Sequence, residues 1–296
     1  MADQAEKLRE LVKNKSTLDL PYLSDPIPSG KKTRIITITS GKGGVGKTNM
    51  AINLALAYSK LGKKVVVMDA DLGLANVNVI LGVVPKFNLY HMIRQKKTMK
   101  EIIADTGYGI QIVAGASGFS QIANLSEKDR HMFISELSSL SFADIIIIDT
   151  SAGVSSNVLD FIAAADEALI VTTPEPTAIT DAYGLIKIIT TEINNPAMGL
   201  KLIVNRVKSV TEGKKVADRV INISSQFLNI KVDYLGYVYE DQSVQDSVLQ
   251  QKPFMIVDPK SKASHCVMNL VSRLERVDYR EGSGVGGFIS RLFGRM

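Results

Sequence analysis

Gly41, Gly46, Lys47 and Thr48 stand in the order Gly-x4-Gly-Lys-Thr within Thr39-Ser-Gly-Lys-Gly-Gly-Val-Gly-Lys-Thr-Asn49, a spacing suited to wrapping a loop around phosphates. Glycines let successive backbone N–H groups converge on the oxygens, a lysine reaches the β/γ positions, and the following hydroxyl holds Mg²⁺. The same stretch carries a rival pattern. Gly41-x-Gly43-x-x-Gly46 also fits the dinucleotide fingerprint, and Asp69 and Asp71 follow at about the distance of its ribose-binding acid.

Two other strand ends decide between them. Asp149 closes the apolar run Ile145–Ile148 and leads into Thr150-Ser-Ala-Gly153. An acid ending a buried strand beside a phosphate loop is how ATPases hold Mg²⁺ and its water shell, and hydride transfer has no use for it. Gly153 leaves room for a backbone N–H near a γ-phosphate. Asn205-Arg206 ends a later apolar run, and an asparagine can pair with both the donor and acceptor edges of a base. Asp69 and Asp71, in Asp69-Ala-Asp71-Leu-Gly-Leu, then read as flanking the Mg²⁺ and the attacking water.

Such residues need a scaffold that brings strand ends together. From Arg34 onward apolar, β-branched runs alternate with helical stretches: Ile35–Thr39, Val65–Asp69, Ile110–Val113, Ile145–Asp149, Leu169–Thr173, Leu200–Asn205 and Tyr234–Val238. Several are apolar at every position, as strands covered on both faces are. The alternation predicts right-handed βαβ units in one α/β domain. That domain is a single doubly wound, mostly parallel sheet of about seven to eight strands with helices on both faces, and its ligands sit at the strand carboxyl ends.

Bulk properties limit the rest. The 296 residues carry a net charge of +5 and are 45% apolar and 22% charged, the composition of an ordinary globular chain. Cys266 is the sole cysteine, so no intrachain disulfide is possible, which points to a reducing compartment. The first residues, MADQAEKLRE, lack the apolar core of a signal peptide, and no run approaches the ~20 residues that span a bilayer. Any membrane contact is expected to be peripheral.

With these motifs in place, the chain resembles the MinD/ParA ATPases. Lys42-Gly-Gly-Val-Gly-Lys-Thr48 looks like their deviant Walker A motif, marked by an extra lysine, here Lys42. The Asp69 and Asp149 motifs, Thr172-Thr-Pro-Glu-Pro-Thr-Ala-Ile-Thr-Asp-Ala182 and Val204-Asn-Arg-Val207 match the MinD branch in order, from about Lys32 to Arg276. The resemblance implies a P-loop NTPase fold, ATP/ADP and Mg²⁺ as cofactors, and a homodimer in the ATP state. Lys42, Lys47 and Asp71 would be catalytic, with Lys42 reaching the partner's phosphates and Asp71 positioning water. Gly43, Gly44, Val45, Gly46, Lys47, Thr48 and Asn49 would cradle the phosphates, and Asn205 and Arg206 would face the base. Thr48, Asp69 and Asp149 would surround the metal. A cation supplied in trans has a physical reason, since charge develops on the γ-phosphate and leaving oxygens during transfer. Ser151 and Tyr239 stand where proline is usual, which touches the switch loop and the adenine pocket's rim.

The ends narrow the reading. Residues 1–13 read as a helix N-capped by Asp3, and 14–32, with Pro21, Pro26, Pro28 and Gly30, as a tether spanning on the order of 25 Å. Asp3-Gln-Ala-x-x-Leu-Arg9 is similar to the N-terminal motif of the FlhG (YlxH) family of MinD-like flagellar-number regulators. That likeness makes Asp3, Gln4, Leu8 and Arg9 candidate contacts for the GTPase FlhF, and the flagellar switch proteins FliM and FliY implied partners. Residues 33–280 form the ATPase domain. In 281–296 a Gly/Ser spacer precedes a helix with Phe288, Ile289, Leu292 and Phe293 on one face and Arg291 on another. That pattern suits an anionic membrane interface, and it resembles MinD's membrane-targeting helix. A tail docked in its own domain is the competing expectation. The expected location is cytoplasmic, peripheral on the inner face of the cell membrane. DNA is an unlikely ligand; its partitioning reading would need Arg206, Lys208, Lys214, Lys215 and Arg219 to form a binding patch. A MinD-type division-site regulator and a non-catalytic nucleotide latch are rival readings of the same motifs.

Overall fold

The computed structural model describes residues 32–71, 76–94, 97–115, 127–193, 195, 198–276 and 284–293. The contacts expected of Asp3, Gln4, Leu8 and Arg9 lie outside the described residues, as do residues 14–31 of the tether and the end of the chain from residue 294.

Eight strands form one sheet: β1 (Arg34–Thr39), β2 (Val65–Ala70), β3 (Ile103–Asp105), β4 (Gln111–Val113), β5 (Ile145–Thr150), β6 (Glu167–Thr172), β7 (Gly199–Val207) and β8 (Asp233–Tyr239). Their order is β3-β4-β2-β5-β1-β6-β7-β8. Each described pairing is parallel except β3 with β4. The chain winds from β1 outward in both directions, so the topological switch falls at the carboxyl end of β1, where such sheets bind ligands. Every residue of β1, β2, β5 and β6 is buried, which accounts for their unbroken apolar runs.

The helices are α1 (Lys47–Lys60), α2 (Val77–Ile80), α3 (Leu89–Ile93), α4 (Met99–Ile102), α5 (Glu127–Ser138), α6 (Ser156–Ala164), α7 (Pro176–Glu192), α8 (Val210–Leu228), α9 (Gln242–Leu249), α10 (Phe254–Val257), α11 (Lys262–Arg276) and α12 (Gly284–Phe293). The pleat assigns alternate residues to opposite faces. Ile36, Ile38, Val65 and Ile147 pack with α1 and α11, while Ile35, Val66, Met68 and Ile146 pack with α3, α4 and α12. A third cluster joins β6 and β7 to α6, α7 and α8.

The last helix departs from its expected start. Gly284, Val285, Gly286 and Gly287 belong to α12 rather than to a spacer. Glycine is a weak helix former, but here packing overrides propensity. Val285, Phe288, Ile289, Leu292 and Phe293 recur at helical spacing and are 3–6% exposed in the cluster on β1. The Phe288 ring stacks on Phe161 at 6.5 Å, and Arg291 donates to the Ala164 carbonyl at 2.8 Å and pairs with Asp166 at 3.2 Å. The four side chains expected to meet lipid are therefore inside the domain in this structure.

Candidate functional site

The carboxyl end of β1 runs through Ser40 into the glycine loop and then α1. Gly46 caps α1 with φ 97° and no side-chain capping bond. The first N–H groups of a helix so begun have no partner within it and carry its positive dipole end, which is an anion site. Gly46 has no substitute. Besides its left-handed φ, a Cβ there would sit 2.5 Å from Asn205 Nδ2. Gly41 is equally constrained, since a Cβ would fall 2.1 Å from the Asp181 carbonyl oxygen.

Around this loop the sheet gathers its acids. Asp69 on β2 and Asp149 on β5 are register partners, and both are buried. Burial pushes Asp149 up to about 7, with Asp69 raising it further while Thr48 and Lys47 oppose the shift. Burial likewise lifts Asp69 to about 6, against three backbone N–H bonds. The Thr48 hydroxyl bonds Asp149, whose Oδ1 is buried with no hydrogen-bond partner among the described residues. Lys47 is also buried, and desolvation lowers its pKa against the pull of Asp149 and Asp71. A cation and two carboxylates thus meet at the mouth of the loop.

Orphaned polar atoms mark the same place. Thr39 Oγ1, Asn49 Oδ1, Asp149 Oδ1, Thr172 Oγ1 and Thr173 Oγ1 are five of the nine buried side-chain atoms left without partners among the described residues. All five lie at carboxyl strand ends or in the first turn of α1. Buried polar atoms cost free energy when unpaired, so such a concentration points to a polar ligand. Mg²⁺ prefers one or two carboxylates with phosphates and water over an all-protein cage. Thr48 and Asp149 offer that set, and no group of three or more His, Cys, Asp or Glu converges among the described residues.

Three expected site residues make contacts within the chain. Asp69, expected beside the metal, has both oxygens engaged with backbone: Oδ1 accepts from Asp71 at 3.0 Å, and Oδ2 from Asn76 at 3.0 Å and Val77 at 3.2 Å. It staples the loop carrying Asp71, and the carboxylate open to a metal is Asp149. Asn205, expected to meet a base through both edges, already donates its amide to the Val45 carbonyl at 2.8 Å. One amide N–H and the acceptor oxygen remain for a ligand, and beside them Arg206 adopts φ 56°. The Gly153 N–H, expected near a γ-phosphate, is donated to the Ser40 carbonyl at 2.9 Å, so the loop after β5 is closed onto the phosphate loop.

Lys42 stands apart from the group around Lys47. Its Nζ lies 2.7 Å from Glu175 Oε2 and 2.8 Å from Thr177 Oγ1 on its own chain. The hydrogen bond from Lys42, more than its charge, lowers the Glu175 pKa, and Arg206 adds to it. Glu175 and Thr177 carried no assigned role in the sequence. Their only signal was membership of the Thr-Pro-Glu-Pro-Thr run at the start of α7.

A glycine loop joining the central strand of a doubly wound sheet to an uncapped helix, with a buried lysine and an acidic neighbouring strand end, defines a phosphate-loop nucleotide-binding domain. Residues 36–254 match the model of the CobQ/CobB/MinD/ParA nucleotide binding domain, and the chain belongs to that family. It is 38% identical to "Antiactivator FleN" of Pseudomonas aeruginosa over 232 residues, 78% of this chain and 82% of that one. With "Flagellum site-determining protein YlxH" of Helicobacter pylori it shares 36% over 249 residues, 82% and 83% of the two chains. Among solved structures it resembles septum site-determining protein MinD from Pyrococcus horikoshii, complexed with Mg-ADP, at 26% identity and TM-score 0.67. That match covers 85% of this chain and 99% of the other.

Proposed function

We propose that this protein is a Mg²⁺-dependent ATPase that pairs with a second copy of itself when ATP is bound and regulates the number or placement of flagella. The observation that carries the catalytic half is the convergence of the uncapped α1 N-terminus, Lys47 and the open Asp149 oxygen. The regulatory half is supported by the relatives. Similarity to the flagellar proteins, at 38% and 36%, exceeds the 32% shared with septum site-determining protein MinD of Bacillus subtilis.

Each residue's part follows from its place. The backbone N–H groups of Gly43–Thr48 and the Lys47 ammonium bind the phosphates. Thr48 and Asp149 hold Mg²⁺, which supplies charge neutralisation on the phosphate oxygens when bound. Asp69 fixes the loop so that Asp71 orients the attacking water. Asn205 presents its carbonyl to the base beside Arg206. Lys42 must leave Glu175 to reach the second copy's phosphates, and Gly153 must release Ser40 before its N–H meets a γ-phosphate. Nucleotide would thus open two contacts that close the site.

The ends extend the reading. Residues 1–13 would engage FlhF through Gln4 and its neighbours, on the tether 14–32, and FliM or FliY would meet the 33–280 domain. Helix α12 would exchange its own groove for an anionic membrane. Five apolar side chains leave the core in that step, which in water costs on the order of 10 kcal/mol, so α12 leaves only for another apolar surface. Two helices on a dimer gain effective concentration that one lacks, which makes the inner face of the cell membrane an ATP-dependent address.

Size exclusion of Asp71→Ala with and without ATP and Mg²⁺ tests the core of this. A dimer that accumulates with ATP is expected, because binding persists while hydrolysis stops. A persistent monomer would undo the pairing.

A further inference from the structure

Charge is unevenly distributed over this chain. Between Lys86 and Glu101 there are five cations, Lys86, Arg94, Lys96, Lys97 and Lys100, and one carboxylate, although the net charge of all 296 residues is only +5. Of these cations only Lys96 lies outside the described residues. The segment forms α3 and α4, whose inner sides are apolar: Leu89, Met92, Met99 and Ile102 are buried in the cluster that also holds the apolar face of α12. Lys86, Arg94 and Lys100 face solvent on the outer side.

The outer side is organised. One ring, Phe87, lies under two ammonium groups, Lys97 at 4.4 Å and Lys86 at 5.5 Å. Arg94 sits 5.3 Å from the Tyr90 ring. Glu101 offsets only Lys97, at 2.9 Å. Aromatic faces thus gather like charges that repel one another, and an anion between them relieves that cost. Two residues before Lys86, Val84 is 94% exposed.

We propose that the outer side of this segment is a lipid-contacting surface in which Lys86, Arg94 and Lys100 bind anionic headgroups while Val84 enters the interface. A cation two residues from an exposed apolar tip, with Arg94 and Lys100 exposed at the end of α3 and on α4, suits a lipid boundary, whereas Val84 gains nothing from the phosphates of a nucleic acid. Helices α3 and α4 share their core cluster with α12, and the proposal rests on the membrane role given to α12 above. The two differ in what they mainly supply. Helix α12 brings five apolar side chains and one described arginine, and this surface brings three exposed cations and hence most of the preference for negative charge.

The test compares the full-length protein with a Lys86→Gln/Arg94→Gln/Lys100→Gln variant, in ATP and Mg²⁺, by flotation with phosphatidylglycerol vesicles and with phosphatidylcholine vesicles. At about 1 kcal/mol per cation, the variant should bind phosphatidylglycerol on the order of a hundredfold more weakly and phosphatidylcholine equally well. Wild-type binding should lose its preference for phosphatidylglycerol in high salt. Equal flotation of variant and wild type on phosphatidylglycerol would overturn the surface and leave α12 standing. Failure of both proteins on every vesicle would overturn both. Loss of salt-sensitive duplex DNA retardation in the variant, with flotation unchanged, would reassign the surface to nucleic acid and overturn the proposal.

Discussion

The two ends of the central strands both bury charge, and they treat it oppositely. At the amino ends Arg34 commits its guanidinium to its own chain: both Glu167 oxygens at 2.8 Å, Glu275 at 2.9 Å and the Tyr58 hydroxyl at 3.4 Å. Lys201 adds a contact to Glu167 at 3.5 Å. Burial raises the Tyr58 pKa well above its ordinary value, and Arg34 only partly opposes this. At the carboxyl ends, by contrast, burial disfavours the charge on Lys47, Asp149 is lifted to about 7, and hydroxyls of Thr39 and Thr172 lack partners among the described residues. One end pairs its guanidinium and ammonium with carboxylates of its own chain and strengthens the fold. The other leaves its charges for a ligand, the local inconsistency expected of a functional site.

Breaking the amino end should have the largest effect. Glu167→Ala leaves Arg34 and Lys201 buried without their shared carboxylate, and removal of one partner from a buried pair costs about 3–5 kcal/mol. Thermal melting should fall by about 10 °C for a domain of this size, while Mg-ADP still raises the melting temperature by its usual increment. A loss under about 1 kcal/mol would mean water reaches the cluster and the contrast between the ends is false. Lys47→Ala reverses the pattern. Ligand-free melting should change little, whereas ATP hydrolysis should drop by roughly a hundredfold or more, as for other preorganised electrostatic groups. Comparable losses in both readouts would show that Lys47 holds the fold as well.

The carboxyl end should also reveal itself through pH. Asp149 and Asp69 stand at about 7 and about 6 in the fold, above the ~3.9 of an unfolded aspartate. Folded chain therefore binds more protons than unfolded chain between these values, and stability falls with rising pH there. The contribution is complete below about pH 4 and lost as pH rises through about 7. Ligand-free protein should melt at progressively lower temperature across pH 5–7.5, and Mg-ADP should flatten the slope by favouring the ionised pair. A flat ligand-free profile would mean that Asp149 and Asp69 are solvated.

How far the sequence reveals these ends depends on whether a feature is local. Buried strands such as Ile145–Ile148 announce themselves by being apolar throughout, and the acids that end them inherit a definite place. Strand β3, Ile-Ala-Asp, is too short to show a period, and it follows α4 directly. The start of α12 was hidden because its glycines read as a spacer, while the partner that orders Val285 lies in a distant cluster. The Asp69 staple has no side-chain signature, since it acts on backbone N–H groups. The pairing of Lys42 with Glu175 joins residues 133 positions apart, which no periodicity reports.

That pair gives the smallest effect and the finest distinction. Lys42 and Glu175 are respectively 35% and 54% exposed at the side chain, so solvent screens their bond and it contributes little to stability. Glu175→Gln should leave melting unchanged within about 1 °C. If the bond holds Lys42 back from a second copy, the same free energy reappears in pairing. Glu175→Gln should therefore reach half-maximal dimer at a slightly lower ATP concentration. Analytical ultracentrifugation across an ATP titration measures this, with Lys42→Ala as the control that should stay monomeric. An unchanged midpoint would make the contact incidental to pairing. A higher midpoint would place Glu175 within the dimer itself, holding Lys42 after it has crossed rather than before.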